Sequence, residues 1–172
     1  MELNSGDGLL VVDVQNDFLP GGALGVQRGD EVVPVLNRYM AAFRARGLPI
    51  FASRDWHPAK HCSFREQGGV WPVHCVVGTN GAEFHPDLHL APSTIVISKA
   101  TDPKKDAYSA FESTTLDEHL RKTGVRRLLI GGLDRLLRAE HGQGRDQARL
   151  CRLSPHGWDP GGEPEAGRWQ KG

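Results

Sequence analysis

Two short segments place metal-ligating side chains close together. Arg54-Asp55-Trp56-His57 sets a carboxylate and an imidazole two residues apart. In extended backbone, residues i and i+2 face the same side, so both can reach one cation. Trp71-Pro72-Val73-His74-Cys75 supplies a second imidazole. One Asp and two His (Asp55, His57, His74) suit a divalent ion such as Zn²⁺, Fe²⁺ or Mn²⁺ with coordination positions left open. Open positions point to catalysis or ligand binding rather than a structural staple. His61 and His85 compete for the same role, and loop histidines with no metal remain the bland alternative. Cys75 is a poor co-ligand for His74, because neighbouring side chains on extended chain point apart.

Two more ionisable residues need a scaffold to be understood. Leu9–Val14 is a short Val-rich apolar run that suits a strand buried on both faces of a parallel sheet. Leu48–Ala52 and Thr94–Ser98 are two further such runs, and Arg127–Ile130 is a fourth. Val32, Val33, Leu36, Met40 and Phe43 form one helical stripe within 32–46, closed by Gly47, and Leu116–Lys122 is a second helix. Strands alternating with helices predict an α/β three-layer sandwich with a mostly parallel sheet. In such folds ligands bind beyond the carboxyl ends of the strands. Asp13, Asp55 and Lys99 each fall at such an end. Any one of them would be an ordinary loop charge; three at the same edge point to a site.

The bulk numbers narrow the class. A chain of 172 residues is enough for one domain with a full core. Lys+Arg and Asp+Glu number 21 each, so charge gives no reason to expect nucleic acid or an anionic membrane as partner. No apolar run approaches the roughly 20 residues needed to span a bilayer, and the polar, acidic start is unlike a secretory signal. Three cysteines, Cys62, Cys75 and Cys151, do not suggest a disulfide framework. The expectation is a cytoplasmic protein with a small-molecule substrate.

These segments are together similar to one family. Val12-Asp13-Val14-Gln15-Asn16-Asp17-Phe18 with Pro20-Gly21-Gly22-Ala23-Leu24 resembles the opening of nicotinamidases (pyrazinamidases) in the isochorismatase-like hydrolase superfamily. The stretch from Arg54 to Phe64 and the stretch from Trp71 to Thr79 resemble that family's two metal segments. Lys99-Ala100 followed by Asp106-Ala107-Tyr108-Ser109-Ala110-Phe111 resembles its catalytic-lysine segment. The resemblance implies an isochorismatase-like hydrolase fold and hydrolysis of nicotinamide to nicotinate and ammonia in NAD salvage. It implies Asp13 as general base, Lys99 as the cation stabilising thiolate and intermediate, and Asp55, His57 and His74 as metal ligands. Phe18 and Trp71 would flank the pyridine ring, whose nitrogen the family anchors on the metal. The family also implies possible assembly into homo-oligomers. An amide is a poor electrophile, so this chemistry needs a thiolate with a base and a cation beside it.

The resemblance stops at Leu133. The family continues with a segment such as Gly-Leu-Ala-Thr-Asp-Tyr-Cys-Val-Arg, whose Cys sits at a helix start that lowers its pKa. Here Ile130-Gly131-Gly132-Leu133 is followed by Asp134-Arg135-Leu136-Leu137-Arg138-Ala139-Glu140, with no Cys at that place. Removing two nucleotides from codons chosen for Leu-Ala-Thr-Asp-Tyr-Cys-Val-Arg-Ser reproduces Leu133 to Glu140 residue for residue. The reading is therefore a family domain over 1–133, truncated and incomplete at its C-terminal side, and a frameshifted, disordered tail over 134–172. The tail's seven Gly, three Pro and six Arg with little apolar periodicity agree with that. Loss of the sheet's last strands would expose an edge, and oligomer formation would come into question. Cys151 lies in a segment with no strand-to-helix signal, which argues against it as a substitute nucleophile. Two alternatives stand beside an amidase that has lost its nucleophile: a non-catalytic metal- or ligand-binding protein of the same fold, and another isochorismatase-like hydrolase.

Overall fold

The structure, a computed structural model, describes residues 2–133 and the backbone of Cys151–Leu153. Five strands form one sheet: β1 Asp7–Val12, β2 Ile50–Asp55, β3 Ile95–Lys99, β4 Arg127–Gly132 and β5 Cys151–Leu153. Their order is β3-β2-β1-β4-β5. The first four run parallel, and β5 is antiparallel to β4. Leu9 stands opposite Ile50 and Leu129, so β1 is the central strand.

Alternation along β1 divides the core between two faces. Leu9 and Val11 point to one face and pack with Ile50, Ala52 and Leu129 under α1, Val32–Ala45. The expected stripe of Val32, Val33, Leu36, Met40 and Phe43 is the buried side of that helix. Leu10 points to the other face, with Phe51, Ile97 and Leu128 under α2, Leu116–Lys122. Helices on both faces of a mostly parallel sheet make the expected three layers. Both helices stop the same way. Gly47 (φ +65°) and Gly124 (φ +69°) take the left-handed turn. The next N–H, of Leu48 or Val125, then donates back to the carbonyl of Phe43 or Leu120. Among the described residues no helix is long and apolar enough to cross a membrane.

All four expected strands differ from the sequence expectation at one or both ends: β1 closes at Val12 rather than Val14, β2 and β3 open at Ile50 and Ile95 rather than Leu48 and Thr94, and β4 runs on to Gly132. β1 begins two residues earlier, at Asp7, because the buried Asp7 carboxylate takes the Arg127 guanidinium across the β1–β4 pair. β2 runs on through Asp55, and β3 through Lys99. Asp55 and Lys99 pair directly in register, so they are the last rungs of a ladder rather than loop residues. The expected open edge on β4 is also different: Leu128, Leu129 and Ile130 face Leu153, Arg152 and Cys151. Within the segment expected to be unstructured, Cys151–Leu153 is thus a strand; the remainder of 134–172 lies outside the described residues.

Candidate active site

Four segments meet at the carboxyl ends of β1, β2 and β3. Asp13 follows β1 with φ +51° and Ala100 follows β3 with φ +51°. This left-handed region costs a residue with a Cβ about 1–2 kcal/mol. One tertiary and one local bond hold Asp13 there: its N–H donates to the Ser53 carbonyl at 3.1 Å, and its own carbonyl accepts from the Gln15 N–H two residues on at 2.8 Å. The turn aims the carboxylate across the strand ends. Asp13 Oδ1 accepts from Ser53 Oγ at 2.7 Å, and Oδ2 lies 3.1 Å from Lys99 Nζ.

Lys99 reaches two carboxylates at once. Its ammonium contacts Asp13 Oδ2 and donates to Asp55 Oδ1. All three side chains are buried. An isolated buried charge is costly, so such groups persist only when paired. Burial is the largest influence on Asp13 and pushes its pKa up from 3.8; Lys99 pulls the other way, the Asp55 charge adds to the rise, and the Ser53 hydroxyl opposes it. Two carboxylates against one ammonium leave local negative charge, which favours a further cation.

Asp55 offers its other oxygen to that cation. Oδ2 lies 3.5 Å from His57 Nε2 and 3.9 Å from His74 Nε2, and the two Nε2 atoms are 3.2 Å apart. Asp55, His57 and His74 form the one group of such side chains among the described residues whose donor atoms all fall within 4.8 Å. Ligands on tetrahedral arms of about 2.0–2.1 Å are separated by about 3.3 Å, so these donors fit a zinc-type ion. The tautomer fits as well. His74 Nδ1 is 2.7 Å from the Pro72 carbonyl and must donate there, which leaves Nε2 with a bare lone pair. The two segments are also joined to each other: His57 N–H donates to the Cys75 carbonyl and Val77 N–H to the His57 carbonyl, each at 2.9 Å.

The competing side chains are occupied elsewhere. His61 is fully buried, with Nδ1 2.7 Å from Ser63 Oγ and Nε2 3.1 Å from the Lys105 carbonyl. Burial, and then His57, lower its pKa. It stacks near His57 with centroids 4.3 Å apart instead of joining the ligand set. His85 Nδ1 accepts from the Asp87 N–H. Cys75 turns away, with Sγ 3.9 Å from the Gly81 carbonyl. Cys62 is half-buried in the loop, and the backbone of Cys151 pairs with that of Ile130 as part of β5.

The two aromatic candidates stand differently. Phe18, in the 3-10 turn Asn16–Phe18, is buried with its ring centroid 5.7 Å from that of His74. Trp71 is half-buried, and its peptide is bonded to Ser63 and Arg65. Phe64, which sequence reasoning did not single out, touches three imidazoles: His57 at 5.4 Å, His74 at 5.5 Å and His61 at 5.8 Å between centroids. Ser53 and Gln15 were missed too. A buried Ser or Gln reads as an ordinary polar residue until the strand ends are assembled.

The chain is similar to known proteins. The isochorismatase domain family matches residues 7–134. The nicotinamidase of Escherichia coli (strain K12) is 42% identical over 146 residues, covering 73% of this chain and 68% of that protein. A crystal structure of the pyrazinamidase of Pyrococcus horikoshii in complex with zinc superposes with a TM-score of 0.72 and 52% identity, covering 74% of this chain and 70% of the other. A crystal structure of PnC1 from L. infantum in complex with nicotinate superposes with a TM-score of 0.69 and 38% identity, covering 75% and 67%.

Proposed function

The chain belongs to the isochorismatase domain family, and from that premise we propose that it is built on a metal-dependent amidase for nicotinamide that has lost its nucleophile. The observation that carries this is the convergence of Asp55 Oδ2, His57 Nε2 and His74 Nε2 beside an Asp13–Lys99 pair. Its nicotinamidase relatives support an amide as substrate and the hydrolase class. The zinc-bound and nicotinate-bound neighbours support a divalent metal and a pyridine ligand.

Asp55, His57 and His74 would hold the metal, which when bound supplies a Lewis-acidic anchor for the pyridine nitrogen. Phe18, and Trp71 on the other side, would bracket the ring. Asp13 would take a proton from an attacking group and return it to departing ammonia. Burial raises its pKa, which suits a carboxylate asked to hold a proton. Lys99 would stabilise the charge that develops on the attacked carbonyl and its attacker. The family's thiol belongs directly after β4, where Asp134 to Glu140 contains no Cys. Domain 1–133 would therefore bind metal and aromatic amide, with turnover reduced by several orders of magnitude. Residues 134–172 would be the product of a shifted frame.

The test is an ammonia-release assay with nicotinamide, run beside metal analysis and nicotinamide binding on the purified chain. Bound metal, bound amide and negligible ammonia are expected. Robust turnover that depends on Asp13 and Lys99 would overturn the loss of the nucleophile. Binding of neither metal nor amide would overturn the whole reading. The coding DNA provides a separate check: an alternative frame lacking Thr-Asp-Tyr-Cys or a close variant after Leu133 sinks the frameshift.

A further inference from the structure

Gln15 and Asp17 offer no atom to the metal site, yet each grips a segment that does. The backbone ladder between β1 and β2 ends where Asp13 N–H donates to the Ser53 carbonyl. Beyond it, the fully buried Gln15 side chain takes over as one more rung. Its Oε1 accepts from the Asp55 N–H at 2.7 Å, and its Nε2 donates to the Asp55 carbonyl at 2.8 Å. The second amide hydrogen goes to the Ala82 carbonyl, also at 2.8 Å. Both peptide groups flanking the Asp55 side chain are thereby fixed.

Asp17 does the same for the other ligand segment. Cys75 follows His74 directly and has φ +46°, a region that residues with a Cβ rarely adopt. Its carbonyl is held by the His57 N–H. Its own N–H donates to Asp17 Oδ2 at 2.7 Å, while Asp17 Oδ1 accepts from the Ala23 N–H at 3.3 Å. Gly81 makes room for this. A Cβ at that position would overlap the Asp17 carboxylate. The segment carrying both residues is itself anchored, with Asn16 N–H donating to the Glu83 carbonyl and His85 N–H to the Val14 carbonyl, each at 3.0 Å.

We propose that Gln15 and Asp17 are positioning residues of the metal centre. Gln15 fixes the peptide planes from which Asp55 projects, and Asp17 fixes the turn that aims His74. Affinity for a divalent cation then depends on two side chains that never touch it. The inference rests on reading Asp55, His57 and His74 as metal ligands.

The test uses the intact chain: Zn²⁺ affinity by chelator competition, the visible absorption of a Co²⁺-substituted site, and melting of the metal-free protein. Gln15→Met, Asp17→Ala and Gly81→Ala are each expected to weaken Zn²⁺ binding by about 10- to 100-fold and to alter the Co²⁺ bands. Asp17→Asn keeps an oxygen for the Cys75 N–H but sets an NH2 against the Ala23 N–H, and is expected to bind Zn²⁺ more tightly than Asp17→Ala and less tightly than wild type. Variants that melt lower but bind Zn²⁺ as tightly as wild type would show a merely structural role and overturn the inference. If Gln15→Met does not fold, the Asp17 and Gly81 variants decide. A wild-type chain that takes up no Zn²⁺ fails the metal reading and the inference with it. A wild type that binds, beside variants that bind equally, fails the inference alone.

Discussion

Replacing Lys99 with Met tests the electrostatics of the site most directly. The substitution keeps the length of the side chain and removes the ammonium between Asp13 and Asp55. At 3.1 Å and an effective dielectric of about 20, the attraction to Asp13 alone is about 5 kcal/mol. The lysine's own desolvation offsets part of that, and breaking one side of a buried ion pair typically costs about 3–5 kcal/mol. Lys99→Met in metal-free protein should therefore lose about 3–5 kcal/mol of unfolding free energy, read by urea denaturation at neutral pH. Asp13→Asn in the same background should recover part of the loss, since one stranded carboxylate is gone; contacting pairs couple by about 0.5–3 kcal/mol. Zn²⁺ should recover more, because a cation beside Asp55 Oδ2 takes over some of the neutralisation. A loss below about 1 kcal/mol, well under the range for a broken buried pair, or four corners of the cycle that simply add, would refute the claim that Lys99 bridges two buried charges.

Asp13 gives a pH signature. Its folded pKa is raised above 3.8 by burial, so over that window the folded state holds more protons than the unfolded one, and this group's contribution to stability falls as pH rises. Asp13→Asn removes that fall, and its stability relative to wild type should climb as pH is raised from about 4 towards 7; a pH-independent difference in urea midpoints would contradict the raised pKa. Zn²⁺ at 100 times its dissociation constant should stabilise wild type by about 2.7 kcal/mol, and His74→Ala should abolish the corresponding rise in melting temperature; an equal rise in both proteins would remove His74 from the ligand set.

Much of the scaffold was legible along the chain because its signals are local. The stripe from Val32 to Phe43 repeats at helical spacing, and the Val- and Ile-rich runs leave few alternatives to strands, although the edge strand β3 leaves Val96 exposed. Leu116–Lys122 came out with the predicted limits. The pairing of Asp55 with His57 followed from the two-residue period of extended chain alone. The family membership followed from motif order, and the family match ends at residue 134, next to the point where the sequence departs from the pattern.

What sequence could not decide was set by register between segments far apart in the chain. Asp55 and Lys99 are adjacent because β2 and β3 pair in one register; a shift by one residue would put their side chains on opposite faces. Only that pairing divides the Asp55 carboxylate, with Oδ1 on Lys99 and Oδ2 towards the two imidazoles. Only the folded loop retires His61 from the ligand set, by giving both of its nitrogens partners at Ser63 and Lys105. Gln15 and Asp17 look like polar residues of a turn until Asp55 and Cys75, 40 and 58 positions further along the chain, come against them. Spacing along the chain specifies which chemical groups are present and which face of each element they occupy. The tertiary structure decided which groups share a proton, a charge or a metal, because that depends on distances no local pattern encodes.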